Sequence, residues 1–186
     1  MFYKESKNFL KKEEISFINN SILDNNFPWY YQPAATTDEC PVYTHTIIHR
    51  YDIEKEKPNI NSNIYPIFEE IVLRFCKKHK IKFNVFTRAS VNSISFNKKE
   101  INVPHVDHDF KHKVLMIYLN DTEGDTIVFN KKYDDKNNLI LSKKLPILRK
   151  INPEPYKIVC WDGDYYHAAT YPKLKNRRVV FVSTFI

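Results

Sequence analysis

Two residues of metal-ligating types, His105 and Asp107, stand on either side of a single valine in this chain. In an extended strand, residues i and i+2 point to the same side, so both side chains can aim at one point beside the backbone. We propose that His167, far downstream, completes the set. Two imidazoles and one carboxylate that cap one face of an octahedral metal ion leave three adjacent positions open. The pattern therefore predicts a metal site whose open positions accept further ligands.

Short strand-like runs fill the second half of the chain, around these three residues. Eight runs rich in β-branched and aromatic residues are predicted as strands, at 83–86, 88–96, 113–120, 125–130, 148–151, 156–161, 165–170 and 178–185. So many short strands in about a hundred residues favour a double-sheet barrel or jelly roll.

The first half of the chain has helical patterns. Apolar residues at helical spacing predict one helix over 8–25, which Asn25 and Asn26 end, and a second over 64–80 with Phe68 and Phe75 on its apolar face. We therefore expect a mainly β protein with flanking N-terminal helices, of the α+β class.

A further strand is predicted over 43–51, where His45 and His49 fall on one face. Their spacing would suit a metal pair on a helix, but the β-branched residues around them favour a strand. We interpret both histidines as structural or pocket-lining.

The chain has two glycines, Gly124 and Gly163, and both fall in predicted turns. With so few glycines, each is expected where the backbone needs a conformation that other residues resist. The turn at Gly163 would start the strand that presents His167.

Length and composition predict one globular domain over 1–186, with helical support and N-terminal strands in 1–82 and the jelly-roll core in 83–186. The sequence has no run of 18 apolar residues that could span a bilayer and no visible export signal, so the expected location is the cytoplasm, without a membrane partner. Cys40, Cys76 and Cys160 form no paired motif and are expected to be buried, reduced thiols.

The net charge of +7 comes from lysines and arginines scattered along the chain. A basic chain can bind polyanions, but scattered pairs do not form a stripe. Nucleic acid is therefore the less favoured partner.

The order of the motifs resembles the 2-oxoglutarate/Fe(II)-dependent dioxygenases, in their prolyl-hydroxylase-like branch. The resemblance rests on the His105-x-Asp107 pair, the strand 114–120, the segment 124–129 that begins with Gly124, His167, and the run 176–181. It covers roughly the second half of the chain. The N-terminal part resembles more loosely the small oxygenases of this type from marine phages and bacteria.

The resemblance implies a double-stranded β-helix, the cupin-like form of the jelly roll. It implies that His105, Asp107 and His167 bind iron and that a basic residue on the last strand pairs with the far carboxylate of 2-oxoglutarate. Arg177 and Arg178 compete for that role, and the count back from Phe185 favours Arg178.

Three further residues are expected near the cofactors. Tyr118 matches a tyrosine that bonds the same carboxylate in some family members. Asn92 and Arg88 lie on the strand that leads to the metal loop and could reach cosubstrate or substrate.

The activity implied is a hydroxylase that uses Fe(II), 2-oxoglutarate and O2, with ascorbate as a possible helper, and releases succinate. Its primary substrate would be a peptide or protein residue or a small molecule. Two alternatives stay open at this point. One is a cupin-like binding module without turnover, and the other is a zinc-dependent hydrolase with the same three ligands.

Overall fold

The computed structural model describes residues 1–34, 40–50, 59–134, 145–173 and 176–186. Within these ranges the chain forms, in order, β1 (Tyr3–Ser6), α1 (Lys12–Phe17), β2 (Tyr30–Gln32), β3 (Val42–Ile48), α2 (Tyr65–His79), β4 (Phe86–Ile94), β5 (Lys113–Tyr118), β6 (Thr126–Lys132), β7 (Ile147–Ile151), β8 (Ile158–Asp162), β9 (Tyr165–Ala169) and β10 (Arg178–Phe185). A π-helical segment, Ile18–Ile22, continues α1.

The strands form two antiparallel sheets. The large sheet has the order β1-β8-β5-β10-β4-β3-β2, and the small sheet has the order β7-β6-β9. The fold is thus mainly antiparallel β with two helices, as expected for a double-stranded β-helix. Strands β1, β2 and β3 from the first half of the chain pair within the large sheet.

Alternation along the strands gives the large sheet two different faces. On β5, Leu115 and Ile117 belong to the buried cluster that includes the apolar face of α2, whereas Val114, Met116 and Tyr118 belong to the cluster between the two sheets. The helical side is tightly packed: the Phe68 and Phe181 rings stack with centroids 4.1 Å apart. The other face is the one available to a site.

The helices were placed correctly by the apolar spacing, but their ends were not. The first helix is shorter than 8–25, because Lys12 begins it and the chain leaves the α geometry at Ile18. The second helix ends at His79, and Lys80 follows in the left-handed conformation.

One strand prediction is wrong, and two strands were not predicted. The run 83–86 is not a separate strand, because the backbone amides of Asn84 and Val85 bond the carbonyl of Ile186 before β4 begins at Phe86. Strands β1 and β2 were missed. They are only four and three residues long, and their partners lie far away in the sequence, so no local pattern marks them.

Glycine is required at the two positions for different reasons. Gly124 has a φ of +99°, a region that favours glycine. Gly163 has no such φ, so its expected conformational reason is wrong. A Cβ at Gly163 would lie 2.2 Å from Nε2 of the buried His112 ring, and the absence of a side chain is what lets the two segments meet.

The three cysteines are buried and outside any disulfide, as predicted. Among the described residues, no helix combines the length and the apolar character that crossing a membrane requires.

Candidate metal centre

The backbone brings the two distant histidines together. His105 and His167 form an antiparallel bridge in which each amide donates to the other's carbonyl, at 2.9 Å in both directions. Their ring centroids lie 4.6 Å apart. One ligand atom from each of His105, Asp107 and His167 can be chosen so that all lie within 4.8 Å of one another. This spacing suits three ligands around one metal ion.

Both imidazoles are oriented by backbone carbonyls. Nδ1 of His105 lies 3.0 Å from the carbonyl oxygen of Val103, and Nδ1 of His167 lies 3.3 Å from that of Tyr165. Because a carbonyl only accepts hydrogen bonds, Nδ1 must carry the proton in each ring. Nε2 is then left with a lone pair, which is how histidine commonly binds metals.

The two oxygens of the Asp107 carboxylate have different surroundings. Its Oδ1 accepts a hydrogen bond of 2.8 Å from Arg88 Nη1. Its Oδ2 is buried, has no hydrogen-bond partner among the described residues and lies 3.5 Å from His167 Nε2. A buried carboxylate oxygen without a partner is costly. The donor set therefore fits a divalent cation that takes one oxygen of Asp107 and one nitrogen from each histidine.

The electrostatics favour the forms that bind metal. Burial by itself would raise the pKa of Asp107, but the neighbouring His167 and Arg88 outweigh burial and hold that pKa below its usual range. Burial, reinforced by His105, lowers the pKa of His167 to about 4. Near neutral pH the carboxylate is therefore charged and the His167 imidazole is neutral.

The local backbone differs from the regular strand assumed for His105 and Asp107. His105 lies in its isolated bridge, whereas Asp107 lies in a bend. The assumption of a regular strand is thus wrong, because the chain turns away from the sheet between the two residues. The bend, rather than strand alternation, turns the Asp107 carboxylate towards His167.

A cavity of about 140 Å³ opens at these residues, between the two sheets. Arg178 lines it and is only 3% exposed. Its Nε donates to the Gly124 carbonyl at 3.0 Å, and its Nη2 donates to Thr126 Oγ1 at 2.8 Å. No carboxylate of the described residues pairs with this guanidinium. A buried cation without an anionic partner is rare in proteins.

Arg177 points elsewhere. Its Nη2 donates to the Leu23 carbonyl at 3.3 Å, and its guanidinium lies over the Trp29 ring. Arg178 shares the inward face of β10 with Val180 and Val182, which also line the cavity. Of the two competing arginines, Arg178 is therefore the one in the cavity.

The other two predicted residues lie at different depths. Asn92 lines the cavity and accepts a hydrogen bond of 2.8 Å from Thr44 Oγ1. Tyr118 is fully buried one layer further in, where its hydroxyl lies 3.0 Å from Thr126 Oγ1 and donates to the Ile151 carbonyl. Tyr118 thus contacts the residue that holds Arg178.

His45 and His49 lie away from the cavity lining. His45 is buried, with its two ring nitrogens 3.0 Å from the Pro28 carbonyl and 2.7 Å from Ser62 Oγ. His49 is exposed. The structural interpretation therefore suits His45.

Sequence reasoning missed two residues that line the cavity, Arg50 and Thr126. Arg50 follows β3 and donates through Nη1 to the backbone carbonyl of Asp107. Nothing in the spacing of the sequence links these two positions. Thr126 follows Gly124 by two residues, and a threonine in a strand is too ordinary to mark a site.

The solved structures that this chain resembles share one fold. A 2OG-Fe(II) oxygenase family protein from Burkholderia pseudomallei aligns with 98% of this chain and 84% of its own, at a TM-score of 0.66 and 13% identity. SnoN, a non-haem α-ketoglutarate-dependent epimerase of nogalamycin biosynthesis, aligns with 99% of this chain and 78% of its own, at a TM-score of 0.62 and 10% identity. A prolyl-4-hydroxylase from Pseudomonas putida aligns with 98% of this chain and 91% of its own, at a TM-score of 0.55 and 12% identity.

These likenesses establish that the chain has the fold of the 2OG-Fe(II) oxygenases. The fold expected from the sequence is thereby confirmed. Neither a protein-family model nor a curated protein matches the sequence.

Proposed function

We propose that this protein is a 2-oxoglutarate- and Fe(II)-dependent dioxygenase that hydroxylates its substrate. The observation that carries the proposal is the buried Arg178, which has no acidic partner among the described residues and shares a cavity with the His-Asp-His group. A small dicarboxylate that binds the metal at one end and this guanidinium at the other would satisfy both.

His105, Asp107 and His167 would hold the iron. With Nδ1 of each histidine engaged by a carbonyl, Nε2 is the ligating atom, and Asp107 offers Oδ2 while Arg88 retains Oδ1. The Trp161 and His167 rings pack in a T-shaped arrangement, with centroids 5.5 Å apart, which restrains the orientation of His167. When bound, iron and 2-oxoglutarate supply O2 activation coupled to release of succinate and CO2, with one oxygen atom passing to the substrate.

Arg178 would orient the cosubstrate. The Gly124 carbonyl and Thr126 hydroxyl hold Nε and Nη2 and so fix the guanidinium plane, which leaves the N–H groups of Nη1 to bind a carboxylate. Tyr118 would act through Thr126, as a positioning residue. Asn92 is one of the polar residues of the wall and can contact cosubstrate or substrate.

Apolar side chains keep water away from this region. Val114, Met116 and Val180 line the cavity beside Arg178 and belong to the buried cluster between the sheets. Low local polarity strengthens the contact between guanidinium and carboxylate.

The buried guanidinium of Arg178 favours this proposal over the zinc-dependent hydrolase, and succinate release separates it from the binding module. A zinc-dependent hydrolase with the same ligands has no use for a buried arginine deep in the cavity. A binding module without turnover would bind 2-oxoglutarate but release no succinate.

Succinate release in the presence of Fe(II), 2-oxoglutarate, ascorbate and O2 tests the proposal. We expect slow, uncoupled release by the wild-type protein and at least about 100-fold less in His167→Ala, because removal of a ligand costs more than the tenfold to hundredfold loss typical of its outer partners. His45→Ala is the matched control, since it removes a buried histidine outside the cavity lining. Equal release by His167→Ala and wild type would refute the assignment, and zinc in place of iron should give no succinate.

For the substrate we infer a peptide or protein residue or a small molecule, with nucleic acid less favoured. Three buried cysteines outside any disulfide, among the described residues, fit a reducing compartment, and we propose the cytoplasm. We further propose that residues 1–186 act as one domain, since one buried cluster joins α2 to the strands of the large sheet.

A further inference from the structure

Two more arginines converge on Asp107 at the cavity wall. Arg88 Nη1 donates to the Asp107 side chain, and Arg50 Nη1 donates to the Asp107 backbone carbonyl. Both arginines line the cavity. Although Arg50 is exposed at the edge of the cavity, its partial desolvation there and the nearby Arg88 charge lower its pKa, as expected for two guanidinium groups held close together.

Among the described residues that line the cavity, the charges do not balance. Its described lining holds three arginines, Arg50, Arg88 and Arg178, and a single acid, Asp107. With the proposed cofactors bound, the two positive charges of Fe(II) offset the two negative charges of 2-oxoglutarate. Three guanidinium groups against one carboxylate then leave an excess of two positive charges. Such an excess in a partly dry cavity favours an anionic ligand.

The excess positive charge, at Arg50 and Arg88, lies at the opposite end of the β4–β10 strand pair from Arg178. On β4 and β10, Ile94 pairs with Arg178, whereas Arg88 pairs with Thr184. Six residues of strand separate these positions, or about 20 Å of backbone. Arg178 serves one end of the cavity, and the Arg50–Arg88 pair serves the other, beside the metal ligands.

Both guanidinium groups keep donors for a further partner. Each has five N–H groups, of which a single Nη1 contact to Asp107 is used among the described residues. Asp107 is shared between them and also has to supply Oδ2 to the metal. One carboxylate so engaged cannot neutralise two cations.

We propose that Arg50 and Arg88 form a subsite for an oxyanion, a carboxylate or a phosphate, of the primary substrate, which is therefore a small acidic molecule. The inference rests on the proposed function and narrows its substrate class. Arg50 is the specificity-determining residue to test, because Arg88 also holds Asp107 and its replacement would disturb the metal centre.

Calorimetric titration of matched pairs tests the subsite. The protein is loaded with Mn(II) and saturating 2-oxoglutarate without O2, and then titrated with acetate or acetamide, N-acetylglutamate or its diamide, and O-phosphoserine or serine. We expect the anion to bind at least about tenfold more tightly than its neutral counterpart in one pair or more, the size of one charge-assisted hydrogen bond. Whether the carboxylate or the phosphate pairs respond identifies the oxyanion.

The variants show whether the preference comes from the pair of arginines. Arg50→Gln should reduce the preference for the anion over its neutral counterpart to less than about threefold. Arg50→Lys should keep a part of this preference, because lysine retains the charge without the planar guanidinium. Arg149→Gln is the control, since that exposed arginine lies over the Tyr3 ring, outside the cavity lining. No anion preference in any pair, or a preference that Arg50→Gln leaves unchanged, would overturn the inference.

The metal-dependent binding of 2-oxoglutarate is measured before any pair is added. If 2-oxoglutarate binds but the pairs show no preference, only the subsite is wrong. If 2-oxoglutarate does not bind, the proposed function is wrong, and the same pairs titrated into the metal-free protein still show whether Arg50 selects anions.

Discussion

Replacing Arg178 by methionine separates the binding role of this residue from any structural one. The guanidinium is nearly fully buried, and two of its nitrogens are held by Gly124 and Thr126. Removing one partner of a buried, charge-assisted contact costs about 2–4 kcal/mol. We therefore expect 2-oxoglutarate to bind Arg178→Met about 30- to 1000-fold more weakly than the wild type.

The stability of the ligand-free protein should respond differently. Arg178→Met removes the hydrogen bonds to Gly124, Thr126 and the Met116 sulfur, but it also removes a buried cation that has no acidic partner among the described residues. Because these effects oppose each other, the free energy of unfolding should change by less than about 1 kcal/mol. A residue that only supported the fold would show the reverse pattern, a loss of stability with little effect on binding.

Calorimetric titration of the Mn(II)-loaded protein without O2 measures the affinity, and urea unfolding measures the stability. At a 2-oxoglutarate concentration 100 times the wild-type Kd, the ligand should stabilise the wild type by about 2.7 kcal/mol and the variant by less than about 1 kcal/mol.

Arg177→Met is the matched control, because the neighbouring arginine contacts Leu23 and Trp29 instead of the cavity. It should change the affinity less than about twofold. If Arg177→Met weakens 2-oxoglutarate binding as much as Arg178→Met does, the assignment of the inward arginine is refuted.

Two further predictions concern stability. Gly163→Ala should lower the free energy of unfolding in urea by about 1–3 kcal/mol, because the new methyl group overlaps the His112 ring. In a His112→Ala background this loss should largely disappear. An unchanged loss would mean that the contact is not responsible. In the metal-free protein, the pKa values of His108 and His167 lie at about 4 instead of 6.5. Between these two pH values the unfolded chain therefore binds more protons than the folded protein. The free energy of unfolding should fall as the pH drops from 6.5 towards 4, by up to about 3 kcal/mol for each group. Urea titrations across this range measure the slope, which should be shallower in His108→Asn, and a flat profile would contradict the lowered pKa values.

Local pattern in the sequence was enough for the fold class. Apolar spacing marked α2, and runs of β-branched and aromatic residues marked the long strands β4, β5 and β10, because both signals are carried by neighbouring residues. Strand geometry also predicted that only one of Arg177 and Arg178 faces inward, since adjacent residues of a strand face opposite sides, but the structure was needed to show that it is Arg178. The short strands β1 and β2 were missed because only their distant partners make them strands.

The residue types at the candidate site could also be named from the sequence. A histidine and an aspartate two positions apart, followed by a distant histidine, indicated a metal-binding set before any geometry was known. The arrangement of that set could not be known. The bridge between His105 and His167, the bend at Asp107 and the depth of Tyr118 all depend on contacts between segments far apart in the chain.

What the amino-acid sequence determined by itself was therefore the strand alternation, the apolar faces and the identity of the polar groups that could hold a metal and its cosubstrate. Only the tertiary structure decided that Arg50 and Arg88 meet at Asp107 and that Arg178 lacks an acidic partner among the described residues. The physical reason is that charge balance in a cavity belongs to the space enclosed by several segments, and no single stretch of sequence records which charges share that space.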